Sequence, residues 1–262
     1  RQMNMLKALG HTPPVYAHVP MILGADGARL SKRHGAVSVM QYRDEGFLPE
    51  ALLNYLARLG WSHGDQEIFS MEEMIRLFEV TNVHSSAAAF NPEKLLWLNQ
   101  HYIKTADPKH VAHHLSHHLG KLDIDPSKGP DLVEVVMAQR ERAKTLAEMA
   151  AASAFFYKTV ESYEPKDAAA HLKPEVLEPL TELRVRLAGL PQWTAEAIHA
   201  AVNGLAEARG LKLGKIAQPL RVAVAGRAVS PPIDITLALL GREKTLQCLD
   251  RALAHIRQTH SV

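Results

Sequence analysis

The chain has 262 residues, of which 47% are hydrophobic and 22% charged, so it is long enough for one to three domains with buried cores. It contains no run of about 18 apolar residues, which excludes a membrane-spanning helix. The single cysteine, Cys248, excludes an intrachain disulfide and suits a cytoplasmic, reducing compartment. We expect Cys248 to be a small core residue of a C-terminal helix.

The net charge of +2 is unevenly distributed along the chain. Residues 1–60 carry 7 basic and 4 acidic side chains, residues 61–202 carry 14 and 20, and residues 203–262 carry 9 and 4. Basic ends around an acidic middle are typical of a protein that holds a polyanion at two separated places. On charge alone, a chance fluctuation on a near-neutral protein explains the pattern equally well.

The hydrophobic periodicity predicts a mainly α fold with one short strand. Residues 1–9 (RQMNMLKAL) look like the end of a helix that stops at Gly10, and we expect the chain to be the C-terminal part of a longer polypeptide. Residues 15–23 alternate as a strand that enters a turn at 24–27. The predicted helices that follow cover residues 49–59, a segment that begins at the capping box of Ser70 and Glu73, and residues 91–103, 108–120, 130–158, 174–188, 194–209, 216–225, 233–239 and 242–257.

These elements predict four parts: an α/β remnant (1–38), a helical domain (39–107), a helical bundle (108–190) and a terminal helical bundle (191–262). In the second part Leu52, Leu53, Leu56 and Leu59 form one apolar stripe of the predicted helix. Trp61 and Trp97 lie among leucines, which favours core positions over base-stacking platforms.

Five histidines follow helical spacing in the third part: His110, His113, His114, His117 and His118. Two histidines four residues apart on a helix can bind zinc or nickel. However, Val111, Ala112, Leu115, Leu119 and Leu122 form an apolar stripe on the other side. We therefore interpret the histidines as the solvated face of an amphipathic helix and expect no metal site.

Residues 29–35 (RLSKRHG) concentrate three cations, a hydroxyl and a glycine directly after the predicted turn. A mobile basic loop suits an anionic ligand such as the triphosphate of ATP, and Lys32 would place positive charge where negative charge develops on the phosphates. The alternative is a solvated basic turn, because short motifs of this kind recur by chance.

Several motifs together resemble the glutamate–tRNA ligase family (glutamyl-tRNA synthetases, class I, bacterial type). The basic loop resembles the KMSKS-type signature of that class. Three more matches follow in the same order as in the family: residues 47–56 (FLPEALLNYL) with 59–62 (LGWS), then 90–99 (FNPEKLLWLN), and finally a C-terminal group made of Gly214-Lys215, Pro219-Leu220-Arg221, Gly226, Ser230-Pro231 and residues 239–243 (LLGRE).

The resemblance implies a division of labour between the four parts. Residues 1–38 would be the end of the class I catalytic domain, with Arg29, Leu30, Ser31, Lys32 and Arg33 as the ATP-binding loop and Lys32 as a catalytic residue. Residues 39–107 would contact the tRNA stem, and 108–190 and 191–262 would bind the anticodon. ATP with Mg²⁺ and glutamate would bind only together with the rest of the catalytic domain. The chain alone would be an inactive monomer without a cofactor, and its partner would be tRNA(Glu), with tRNA(Gln) as the alternative.

Single-stranded anticodon bases can be stacked upon and read at their edges, and the planar fork of arginine suits both base edges and phosphates. Arg221 is the first candidate, and Pro231 and Ile233 would offer a flat surface or backbone groups to a base. Arg140, Arg142 and Lys144 lie two residues apart and would fan over one side of a helix. Without the resemblance, each would be interpreted as a solvated helix charge.

Two other functions compete with an enzyme part. A free-standing tRNA-binding protein or scaffold would use the same basic residues, although it would not need a phosphate-binding lysine in a loop. A helical metal-binding protein would use the five histidines.

Overall fold

The computed structural model describes residues 1–31 and 38–260, with the side chain of His260 excepted, and forms two compact units. The first comprises residues 1–43 and 49–98, and the second comprises residues 44–48 and 99–262. The predicted mainly α class is confirmed, since the described residues contain fourteen α-helices and a single two-stranded sheet. The division into four functional parts stays a prediction.

The elements in chain order are α1 (Gln2–Ala8), β1 (Ile22–Leu23), α2 (Val39–Glu45), α3 (Pro49–Arg58), α4 (Met71–Leu77), β2 (Ala88–Ala89), α5 (Pro92–Thr105), α6 (Pro108–Gly120), α7 (Leu132–Gln139), α8 (Leu146–Tyr157), α9 (Pro165–His171), α10 (Leu177–Ala188), α11 (Ala195–Ala208), α12 (Gly214–Ala225), α13 (Ile233–Leu240) and α14 (Arg242–His260). Short 3-10 turns occur at Val80–Asn82, Pro126–Lys128 and Pro174–Val176.

The predicted strand over 15–23 is wrong except for its last two residues. Only Ile22 and Leu23 pair, in parallel, with Ala88 and Ala89. Val15 and Val19 are 101% and 84% exposed, so the first part of the segment has no buried face to hold it in a sheet. Pro20 also lacks the N–H group that a ladder requires.

The turn after β1 forms as predicted. The Gly24 N–H donates to the Ala28 carbonyl at 2.8 Å, and the Asp26 carboxylate accepts from the Ala28 N–H at 3.0 Å. Gly27 has φ +72°, which a side chain would strain. The chain therefore reverses, and Arg29 forms an antiparallel bridge with Leu23.

The tryptophan predictions differ in outcome within the first unit. Trp61 is 2% exposed and packs against Phe69 with ring centroids 5.2 Å apart, so its core position is confirmed. Trp97 is 49% exposed, so its predicted core position is wrong. Its neighbours Leu95 and Leu98 form the buried face of α5, whereas Trp97 lies on the exposed side of the helix.

The buried face of α3 also differs from the predicted leucine stripe. Leu53 and Leu56 are 47% and 41% exposed, whereas Leu52, Asn54 and Tyr55 are buried. Asn54 determines this rotation, because its amide donates to the Glu67 carbonyl at 2.9 Å and accepts from the Phe69 N–H at 2.7 Å.

Helices α10, α12 and α14 pack together in the main core of the second unit, where Cys248 is fully buried as predicted. Helix α6 buries the four predicted apolar residues 111, 112, 115 and 119, but Leu122 is 36% exposed. His118 is 5% exposed, so the prediction that all five histidines form a solvated face is wrong for this one.

The predicted single helix over 130–158 is wrong, because it is broken into α7 and α8. Thr145 caps α8 by accepting from the Glu148 N–H at 3.1 Å, and Glu148 accepts from the Lys144 N–H at 2.9 Å. The buried amide of Asn99 donates to the Lys144 carbonyl at 2.7 Å. These bonds fix residues 140–145 as a connection, so Arg140, Arg142 and Lys144 do not fan over a helix face.

Candidate nucleic-acid interface

Arg221 lies on α12 and is held by the segment that follows the helix. Its Nε donates to the Ser230 Oγ at 2.9 Å. The Ser230 hydroxyl donates to the Pro231 carbonyl at 2.8 Å, and the buried Thr236 hydroxyl donates to the same carbonyl at 3.2 Å. The Ser230 hydroxyl therefore links the guanidinium to the Pro231 carbonyl, and the Thr236 hydroxyl helps to hold that carbonyl in place.

The sequence of α12 explains why Arg221 meets this segment. Leu220 and Val222 are fully buried on either side of Arg221, which leaves Arg221 partly exposed at the edge of the core. The helix ends at Gly226 in the left-handed region with φ +76°, where a side chain would be strained and a Cβ would lie 3.0 Å from Val160 Cγ1. The reversal at this glycine returns residues 230 and 231 toward Arg221.

Arg142 lines one cavity of the second unit with Ser230, the residue that holds Arg221. Burial lowers the pKa of Arg221, and the charge of Arg142 lowers this pKa further. Among the described residues neither arginine forms an ion pair. A cavity of about 140 Å³ lies beside them, lined by Arg142, Ser230 and the carboxylate-bearing Glu148 among others. Two arginines, 142 and 227, stand against the single carboxylate of Glu148 in this lining, so its net positive charge favours an anionic ligand.

The other predicted anticodon residues occupy different environments. Arg140 follows α7 directly, and its N–H donates to the Val136 carbonyl at 2.8 Å. Lys144 is exposed on the connection. Pro231 is buried, and Ile233 is 8% exposed within the main core, so the side chain of Ile233 offers little apolar surface. Their contact with a base stays a prediction.

Arg227 is a basic residue of this region that sequence reasoning missed. It lines the same cavity as Arg142 and Ser230, and it donates to the Ala151 carbonyl at 3.2 Å. The sequence did offer a signal for Arg227, because it directly follows Gly226, the glycine predicted to end the helix. A residue at such a chain reversal lies close to the segment that follows the reversal.

The basic loop is described only in part. Leu30 donates its N–H to the Ile22 carbonyl at 2.8 Å, and this bond continues the hairpin that positions Arg29. Ser31 is the last described residue before the gap. Lys32 and Arg33, with His34 and Gly35, lie outside the described residues.

The histidine cluster of α6 does not form a recognisable metal centre. In residues 1–31 and 38–260, no three histidine, cysteine or acidic side chains lie close enough to hold an ion. The His110 and His114 rings are in contact, with centroids 4.7 Å apart. A separate finding is that the described helices include none with the length and hydrophobicity to cross a membrane.

Two family models match the chain in succession. One is described as "tRNA synthetases class I (E and Q), catalytic domain" and matches residues 1–97, and the other is described as "Anticodon binding domain" and matches residues 109–253. The latter contains Arg142, Arg221 and Ser230.

Curated relatives and solved structures agree with these models. A "Glutamate--tRNA ligase 1" of Nitrosococcus oceani is 63% identical over 98% of this chain and 55% of its own length, and one of Alkalilimnicola ehrlichii is 61% identical over 97% and 54%. A crystal structure of a glutamate tRNA ligase from Elizabethkingia meningosepticum, in complex with its amino acid, has a TM-score of 0.79 and 29% identity over 97% of this chain and 54% of that one. The chain therefore belongs to the glutamate–tRNA ligase family of class I aminoacyl-tRNA synthetases, and it spans about half the length of the curated relatives it matches.

Proposed function

We propose that this chain is the tRNA-binding, anticodon-recognising part of a glutamate–tRNA ligase, which attaches L-glutamate to tRNA(Glu) with ATP through a glutamyl-adenylate. The observation that supports this most directly is that Arg142 and Ser230 line one cavity and that Ser230 holds the guanidinium of Arg221. The positive charge of the two arginines suits the phosphates and exposed base edges of an anticodon loop.

Arg221 is the residue that we assign to base recognition. Its Nε is occupied by Ser230, and no other hydrogen bond of its guanidinium is seen among the described residues. The two terminal nitrogens can therefore form a fork with a base edge or a phosphate. Arg142 would meet the same loop from the α7–α8 connection, with Arg140 and Lys144 on either side. Pro231 would contribute through its carbonyl, which holds the Ser230 hydroxyl, and Ile233 by supporting the segment from the core.

The basic loop has a separate role in this proposal. Arg29, Leu30, Ser31, Lys32 and Arg33 would form the ATP-binding loop, with Lys32 stabilising charge on the phosphates. The cations of this loop suit a triphosphate, and the hairpin fixes the position of Arg29 at the start of the loop. Mg²⁺ would accompany ATP in the complete protein, and glutamate would bind outside this chain. We expect no activity from the chain alone.

The remaining proposals concern organisation and context. Residues 1–38 would form the end of the catalytic domain, and residues 39–107 would contact the tRNA stem. Residues 108–190 and 191–262 would together bind the anticodon. The protein would act as a monomer in the cytoplasm. tRNA(Gln) is a second possible substrate, since tolerance of one anticodon base near Arg142 would decide between the two.

The test is equilibrium binding of the chain to unmodified transcripts of tRNA(Glu) and tRNA(Gln) at two salt concentrations, with Arg221→Ala and Arg221→Lys. We expect salt-sensitive binding of tRNA(Glu) that weakens about 10-fold or more in Arg221→Ala and is only partly restored by lysine, which lacks the fork. An affinity that is independent of salt and of Arg221 would contradict the proposal. Joining the chain to a catalytic half from a relative and measuring aminoacylation distinguishes an enzyme part from a free-standing binding protein.

A further inference from the structure

The cavity of about 140 Å³ beside Ser230 is lined by two polar side chains that the proposed function leaves without a role. Gln139 is the last residue of α7, and Glu148 lies in the first turn of α8. Both line the cavity together with Arg142 and Arg227. Two acceptor side chains and two arginines therefore surround one small space.

Gln139 holds a buried acceptor at this cavity. Only 3% of the residue is exposed, and its Nε2 donates to the Ala152 carbonyl at 3.1 Å, which fixes the amide. Its Oε1 has no hydrogen-bond partner among the described residues, and it is not one of the acceptors that the surrounding atoms seal off. A ligand in the cavity can therefore reach an acceptor that lacks a donor, and satisfying such an acceptor is favourable.

Glu148 supplies a second acceptor. Its Oε2 accepts from the Lys144 N–H at 2.9 Å, which holds the carboxylate at the start of α8. In the part of the chain that the structure describes, Glu148 forms no ion pair, although Arg142 and Arg227 line the same cavity. The residue is exposed, so its Oε1 remains available to a ligand.

Arg227 adds donors to the same lining. One terminal nitrogen donates to the Ala151 carbonyl at 3.2 Å, and no other hydrogen bond of the guanidinium is seen among the described residues. Two acceptors and a partly free donor fork thus meet at one cavity. An amino group beside a ring nitrogen or a carbonyl oxygen complements this set, because the amino group donates twice and its neighbour accepts.

We propose that Gln139 and Glu148 are specificity-determining residues that read the amino group of one unstacked anticodon base. The amino group donates to the Gln139 Oε1 and to the Glu148 carboxylate, and Arg227 donates to the acceptor beside it. Carboxylates accept from the amino group of cytosine in nucleic-acid recognition, and the bases of single-stranded loops expose this edge. Uracil has a carbonyl at the same place, which would face two acceptors without a donor. This inference rests on the proposed function.

The test is a double-mutant cycle between the protein and the base. Binding of the chain is measured with the tRNA(Glu) transcript and with a transcript in which uracil replaces the third anticodon base, which the genetic code makes a cytosine. We expect the unaltered chain to prefer cytosine about 10-fold or more. Glu148→Gln keeps an acceptor for the Lys144 N–H but loses the charge and one acceptor, so this preference should decrease about 5-fold.

Gln139→Leu examines the buried acceptor. Leucine is close to glutamine in size, so the preference for cytosine should decrease in a chain that still melts cooperatively. If this variant does not fold, Glu148→Gln decides the matter. Glu73→Gln is the matched control, because Glu73 also accepts an N–H at a helix start, from Ser70 at 2.8 Å, and does not line the cavity. It should leave the preference unchanged.

The outcomes separate this inference from the proposed function. If Arg221→Ala weakens binding but the cytosine preference is the same in the unaltered chain, Glu148→Gln and Gln139→Leu, the inference is overturned and the proposed function stands. Equal losses of affinity for both transcripts in the cavity variants would show contact with the RNA backbone, and the assignment to a base would be wrong. If the unaltered chain binds neither transcript at low salt, both proposals fail.

Discussion

The guanidinium of Arg221 is anchored by the hydroxyl of Ser230, to which its Nε donates at 2.9 Å. Ser230 is 5% exposed, and its hydroxyl donates a hydrogen bond to the Pro231 carbonyl. An arginine that is fixed at Nε loses less side-chain entropy when its terminal nitrogens bind a ligand. This relationship makes Ser230 a positioning residue in the proposed interface.

Replacing Ser230 with alanine should therefore affect binding more than folding. We expect tRNA(Glu) affinity to fall about 5-fold to 10-fold, and the free energy of unfolding to fall by about 1 kcal/mol, the net value of a typical hydrogen bond. Filter binding and urea denaturation measure the two effects. Ser116→Ala on α6 is the control, since its hydroxyl bonds only to the His113 carbonyl. Equal tRNA affinity of Ser230→Ala and the original chain would contradict the positioning role.

The cap of α8 links local stability to the same interface. Thr145→Ala and Thr194→Ala each remove the N-cap of a helix, and each should lower the free energy of unfolding by about 0.5–2 kcal/mol. Only Thr145 belongs to the connection that carries Arg142. We therefore expect weaker tRNA binding for Thr145→Ala alone, and equal losses in the two variants would argue against a role for the connection.

Gly46 should be the most sensitive of the compared glycines. It has φ +92°, and a Cβ there would lie 2.4 Å from the Ala147 N and 2.7 Å from the Leu146 N. Gly64 has φ +54° and nothing within 4 Å, so Gly64→Ala meets only backbone strain, about 1–2 kcal/mol. We expect Gly46→Ala to lower the free energy of unfolding by more than this, about 3 kcal/mol or above. Chemical denaturation of both variants measures the two free energies of unfolding. Similar losses in the two variants would show that the backbone around Gly46 shifts easily to admit a Cβ.

Tyr163 makes stability depend on pH in the alkaline range. Burial, and secondarily the nearby Cys248, raises the pKa of its phenol to about 12 from the ordinary value of 10.0. The folded state holds this proton more tightly than the unfolded state. The contribution to stability is thus complete below pH 10, and it is lost as the pH rises from 10 to about 12.

Tyr163→Phe should accordingly flatten the decline in the free energy of unfolding between pH 10 and 12. Urea denaturation at several pH values measures the difference between the variant and the original chain. Tyr16→Phe is the control, because Tyr16 is 41% exposed. Parallel curves for the original chain and Tyr163→Phe would show that another group causes the decline.

Local signals in the sequence predicted most helix boundaries. The capping box of Ser70 and Glu73 is present, with the Glu73 N–H donating to Ser70 at 3.1 Å and the Ser70 N–H donating back to the Glu73 carboxylate at 2.8 Å. Asn91 caps α5 directly before its first residue, a proline, by accepting from the Lys94 N–H. Such boundaries are predictable because the donor and the acceptor are three residues apart in the chain.

Side-chain burial was less predictable than the helices themselves. The outward positions of Trp97 and Leu53 follow from the neighbours that each helix meets, not from hydrophobicity. His118 is also buried because of the neighbours that its helix meets, although the spacing of the five histidines predicted a uniformly polar face. A periodic pattern defines a stripe, but the packing partner selects which part of it is covered.

The sequence by itself determined the helical class, most helix limits, the family and the types of residue that can contact RNA, because these depend on short-range hydrogen bonds and on motifs read in order. Tertiary structure alone decided where those residues meet. Asn99 holds the Lys144 carbonyl and Thr145 begins a new helix, so residues 130–158 do not continue as one helix. That break, together with the reversal at Gly226, brings Arg142 into one cavity with Ser230, the partner of Arg221. Contacts between residues so far apart in the chain depend on the packed core, and no local pattern encodes them.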